Sequence, residues 1–79
     1  MLKQTRSKLE EIFREVFRLP EGADVPATQQ SSAPDWDSLA HVLLMAAVES
    51  EFGLEIDAGD SLELTSFDAV ARYLEDRGF

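Results

Sequence analysis

The sequence predicts an all-α fold, a small bundle of three to four helices. Three observations predict it. The chain has 79 residues and no cysteine, and a chain this short without covalent staples most readily closes its core as packed helices. Apolar side chains recur at helical spacing near both ends. A third run, in the middle, is apolar nearly all round. One domain spanning 1–79 is expected, since a chain of this size buries only about 60% of the surface its unfolded state exposes. That leaves a thin core and little room for a deep cleft.

The first helix lies in KQTRSKLEEIFREVFRL. Leu9, Ile12, Phe13, Val16 and Phe17 share one face, with lysines, arginines and glutamates opposite. It is expected to end at Leu19-Pro20, because a residue before proline avoids the helical region. From Pro20 to Asp37 the chain holds three prolines, a glycine and many small polar residues, and reads as a loop. Val25 and Ala27 are expected to pin it to the core. The second helix runs from Ser38 to Phe52, with Gly53 placed to terminate it. Its apolar residues leave few polar breaks, so a bundle this small cannot bury every side of it. His41, Leu44, Met45, Val48 and Phe52 are assigned inward. Leu39, Val42, Leu43 and Ala46 then form an outer stripe. In GLEIDAGDSLEL, Leu54 and Ile56 alternate with polar residues, and a short helical turn is expected around Asp60–Leu64. The last helix opens at Ser66, a good N-cap, with Asp68 in its first turn. Phe67, Val70, Ala71 and Leu74 make its core stripe, and Gly78 ends it.

Charge narrows the function. The net charge is −9. Residues 1–20 hold five basic side chains (Lys3, Arg6, Lys8, Arg14, Arg18) against three acids. The other thirteen acids face only Arg72 and Arg77. Such a surface repels nucleic acid and anionic lipid, and suits partners with basic patches. No apolar run approaches the roughly 20 residues of a membrane span. No cationic start with an apolar stretch behind it suggests a secretory leader. A cytoplasmic monomer is the expectation.

Asp37-Ser38-Leu39 closes the long loop and opens the second helix. By itself the tripeptide reads as a capping sequence, with Ser38 or Asp37 as the cap. His41 lies one turn on. A Ser38–His41 hydrolytic pair, oriented by Asp35 or Asp37, would also need an oxyanion hole and a cleft. Neither is legible, so a histidine at the core edge is the preferred reading. Trp36 reads as a packing anchor with its N–H bonded or wet, with contact to a modifying enzyme the lesser reading. Asp35 and Asp37 lack the spacing of a calcium loop, so a solvated loop and no metal are expected.

The order of these elements resembles the acyl carrier proteins and the related peptidyl and aminoacyl carrier domains. The resemblance takes in the amphipathic first helix, the long loop, Asp37-Ser38-Leu39, the EFGLEI segment, Thr65-Ser66 and Tyr73. It implies a carrier fold of three to four helices without catalytic activity. It also implies that Ser38 is esterified by 4′-phosphopantetheine, whose thiol carries an acyl or aminoacyl group. The implied partners are a phosphopantetheinyl transferase, a loading ligase, and downstream synthases or transferases. They would dock on Asp37, Leu39, Val42, Leu43, Ala46 and Glu49. Two departures stand out. Pro34-Asp35 occupies positions where many carriers have Leu-Gly, and Ala40 and Leu43 stand where many have acids. The second favours a dedicated carrier in secondary metabolism. An unmodified interaction module of the same fold is the alternative.

Overall fold

The computed structural model describes residues 1–79. Four helices form: α1 Lys3–Phe17, α2 Ser38–Phe52, α3 Ala58–Glu63 and α4 Phe67–Asp76. α1 packs against both α2 and α4. Its buried residues are Leu9, Ile12, Phe13 and Phe17, joined by Thr5. Val16 is half-buried. α1 stops after Phe17, before the expected Leu19-Pro20. Arg18 turns into the left-handed region (φ 50°, ψ 46°), and its N–H returns to the Arg14 carbonyl. This geometry costs a non-glycine residue about 1 kcal/mol, and it reverses the chain ahead of the proline.

The long loop is tied down at three places. Val25 is buried, whereas Ala27 is exposed and does not pin it. Val25–Ala27 forms a 3₁₀ turn that buries its first side chain, half-covers Pro26 and leaves Ala27 out. Midway, Gln29 pairs with Ser66. Gln30 N–H donates to the Thr65 carbonyl, and Phe67 N–H donates to the Thr28 carbonyl, both at 2.9 Å. That bridge satisfies loop backbone that would otherwise be orphaned against the core. At the far end Trp36 is buried beside Phe13 and Phe17, at ring separations of 5.7 and 4.6 Å. Phe67 closes the same aromatic cluster, 5.1 Å from Phe13.

α2 runs over the expected residues and ends at Gly53 with φ 63°. It buries Ala40, Leu44, Met45 and Val48, with His41 and Phe52 half-buried. Ala40 therefore lies under the helix, not on a face where an acid could meet a partner. α3 begins two residues before the expected turn, because Asp57 caps it by accepting the Asp60 N–H at 2.8 Å. α4 opens as expected: the Ser66 hydroxyl accepts the Ala69 N–H at 3.0 Å. Phe67, Val70 and Leu74 are buried, and Ala71 is half-buried. Tyr73 joins α4 to α3. Its hydroxyl donates to Asp60 at 3.3 Å, and the Arg77 guanidinium sits 3.5 Å over its ring. Burial pushes the Tyr73 hydroxyl above the ordinary tyrosine range, Arg77 pulling the other way. No helix is long and apolar enough to cross a membrane.

Candidate functional site

The site is built by the way α2 starts. Asp37 is extended (φ −98°, ψ −173°), and its Oδ1 accepts the Ala40 N–H at 2.8 Å. Its own carbonyl takes the first helical bond, from His41 N–H at 2.9 Å. Asp37 is thus the cap, and Ser38 is the first residue inside the helix. A helix start leaves four N–H groups without intrahelical partners. Here Asp37 satisfies one. The N–H groups of Ser38 and Leu39 remain free, and the exposed Ser38 hydroxyl bonds to nothing in the fold.

Two shallow grooves lie beside the start of α2. On one side a groove of about 320 Å³ is lined by Ser38, His41 and Val42 with Gln30, Leu62 and Thr65. On the other, about 240 Å³ lies among Leu39, Leu43, Val16, Arg18, Asp35 and Asp37. These are surface features, not a walled pocket.

His41 makes no hydrogen bond to Ser38. The Trp36 indole N–H donates to its Nδ1 at 3.0 Å. An indole nitrogen can only donate, so Nδ1 must be the acceptor and Nε2 carries the proton. Nε2 then donates to the Ser61 carbonyl at 2.9 Å, with the Ser61 hydroxyl at 3.1 Å. Both ring nitrogens are engaged, and neither Asp35 nor Asp37 bonds to the ring. The hydrolytic pair is not assembled. Trp36 is the anchor its position suggested.

The outer stripe of α2 is open. Leu39 is 69% exposed, Val42 63% and Leu43 52%, and Ala46 is exposed beside them. Glu49 belongs elsewhere. Its carboxylate accepts the Ile56 N–H at 2.7 Å and holds the chain between α2 and α3. Asp37 is exposed, but its carboxylate is committed to the cap. One residue of this face escaped the sequence reading. Leu62 on α3 is 79% exposed and lies across the groove from Val42. The available signal was Leu62 and Leu64 flanking one glutamate, of which a short helix can bury only one; Leu64 is the buried one.

Comparison with known proteins gives the family of the chain. Residues 7–74 match the family described as phosphopantetheine attachment site. The chain is 33% identical over 75 residues to acyl carrier protein 4, chloroplastic, of Arabidopsis thaliana, a match taking in 92% of this chain and 53% of that protein. The chain thus spans about half the length of the curated relative it matches. The family match begins in α1 and runs through the last core residue of α4, and so takes in every helix of the bundle. On that match the chain belongs to the phosphopantetheine attachment family, whose members are carriers and not catalysts.

Proposed function

We propose that Ser38 is the residue to which 4′-phosphopantetheine is attached, and that residues 1–79 act as one carrier unit in a specialised biosynthetic pathway. The observation that carries this reading is the free Ser38 hydroxyl. Both Asp37 and Ser38 are good caps by type, and Asp37 has taken the task, leaving the serine exposed and unbonded. The residues around it suit an arm joined through a phosphodiester. The free N–H groups of Ser38 and Leu39 and the positive end of the α2 dipole all face a negative group there. When attached, the arm supplies a terminal thiol, absent from a chain with no cysteine, on which cargo rides as a thioester. The protein's own part is to hold the attachment point on a rigid helix end and to offer its partners a face.

That face is the exposed stripe Leu39, Val42, Leu43 and Ala46, with Asp37 at its edge. A contiguous apolar patch on a small protein marks an interaction surface. We assign it to the transferase, the loading ligase and the downstream synthase or transferase. Glu49 is left out of it because of its bond to Ile56. The absence of acids among the four stripe residues supports a dedicated pathway. The name of the Arabidopsis relative favours an acyl cargo. A cytoplasmic monomer completes the proposal; the chloroplastic address is that of the relative.

Incubation of the apo protein with coenzyme A and a broad-specificity phosphopantetheinyl transferase, followed by intact mass, tests the assignment. The wild type should gain one arm and Ser38→Ala none. An arm on Ser38→Ala, or an unmodified wild type, would reject Ser38 as the attachment residue.

A further inference from the structure

The chain has one tryptophan and one histidine, and they are hydrogen-bonded to each other. Three segments meet on that imidazole: the turn before Ser38 through Trp36, α2 through His41 itself, and α3 through Ser61. Trp36 is otherwise held by the rings of Phe13 and Phe17 and is only 4% exposed, and its N–H has no other partner. α3 has six residues and buries none of them, so it depends on such ties for its position.

We propose that His41 is a positioning residue: neutral and with its proton on Nε2, it locks the turn that presents Ser38, and protonation of Nδ1 opens that lock. The imidazolium carries N–H groups on both nitrogens. Its new Nδ1–H would point at the Trp36 N–H, two donors with no acceptor between them. The indole N–H then loses its partner while the ring stays packed against Phe13 and Phe17. The Nε2–H bond to Ser61 survives, because that nitrogen donates in both states. Acid therefore loosens the turn from Ala33 to Asp37 while α3 stays docked.

No charged group of the segments that meet at the ring hydrogen-bonds or ion-pairs with it. In the turn they are Asp35 and Asp37, the latter committed to the α2 cap, and from the end of α1 Arg18 shares the groove beside them. On and beside α3 they are Asp57, which caps α3, Asp60, which binds Tyr73 and Arg77, and Glu63. Within α2 the next ionisable group after His41 is Glu49, bound to Ile56. Gln30 and Thr65, which share its groove, are uncharged. None of the ion pairs in the fold involves His41.

The functional consequence rests on Ser38 being the attachment residue; the lock itself does not. The test follows the imidazole nitrogens, the Trp36 indole N–H and Trp36 fluorescence of the apo protein from about pH 8 to about pH 5, the span in which histidine changes charge. At high pH the ring proton should be on Nε2 and the indole N–H slow to exchange. On acidification the indole signal and the emission should change with the midpoint of the ring, and indole exchange should speed up by about tenfold or more. His41→Gln should abolish the pH response of the emission, and Ser38→Ala should keep it. In the transferase assay, the KM of wild type relative to His41→Gln should rise about threefold from high to low pH, with the kcat ratio steady. A ring proton on Nδ1 at high pH, or an indole signal that stays flat while the ring titrates, overturns the lock. A flat KM ratio overturns its role in presenting Ser38. A wild type that shows the lock but takes up no arm rejects the Ser38 assignment alone.

Discussion

α1 and α2 are each fifteen residues long and lie against each other, yet they are written differently. α1 puts its large apolar side chains on one face and buries that face. Its other side carries Lys3, Arg6, Lys8, Arg14, Glu11 and Glu15, all exposed. α2 has apolar residues all round and also buries only one face, so Leu39, Val42 and Leu43 stay in water. The bundle needs no more from α2 than from α1. Much of the surplus apolar surface stays uncovered by the fold, and in the proposed reading a partner covers it. Burying one leucine against a partner contributes about 1.5–3 kcal/mol, against roughly 0–1 kcal/mol for an exposed ion pair. A partner reading this face gains more from the stripe than from scattered charge.

The sharpest way to break the comparison is to truncate neighbours on the two faces of α2. Leu44 is fully buried, and Leu44→Ala should cost about 2–5 kcal/mol in urea unfolding. Leu43→Ala, one residue away, should cost less than about 0.5 kcal/mol. Similar costs would mean that both faces serve the fold. Next in size is the docking effect. Leu43→Glu should lower transfer to or from the native partner by about tenfold, equivalent to about 1.4 kcal/mol, with an unchanged circular dichroism spectrum. Glu49→Lys is a poor control, since it also breaks the bond to Ile56. The exposed Glu51 is a better one, and Glu51→Lys should do less harm than Leu43→Glu. The reverse order would make docking electrostatic.

A smaller contrast lies within the junction. Asp37→Ala should cost about 1 kcal/mol as a lost cap, and Ser38→Ala close to nothing, both read by thermal or urea melts. If Ser38→Ala is the costlier change, the serine caps the helix and its hydroxyl is not free. The smallest effect separates α1 from the rest by charge. The basic residues are concentrated in and just beyond α1, while thirteen of the sixteen acids follow residue 20. Few of those acids are paired: Asp60 with Arg77, and Glu75 with the N-terminus. Screening their repulsion should raise the melting temperature by a few degrees, about what several tenths of a kcal/mol produce in a domain this size. Divalent cations should do more. Melting that is flat from low to moderate salt would show that the acids do not strain the fold.

Helical periodicity and end signals are local physics, and local physics was legible. The stripes of α1 and α4, the Gly53 stop, the Ser66 cap and the two faces of α2 all depend on residues within a few positions of one another. The outer stripe could be read because a bundle this small buries only one side of any helix. Where contacts span the chain, the sequence was silent. Nothing near Gln29 announces its pairing with Ser66, and nothing near Glu49 announces Ile56. His41 could be placed at the core edge, but its bond to Ser61, twenty residues on, awaited the packing of α3. The end of α1 moved because Arg18 adopted a left-handed turn that residue type disfavours. The junction shows the division most plainly. Residue type determined that Asp37 or Ser38 would cap α2, since both side chains can accept the same N–H. Only the folded backbone decided between them, because Trp36 is drawn into the aromatic core and the extended turn it imposes points the Asp37 carboxylate at Ala40 and leaves Ser38 outside.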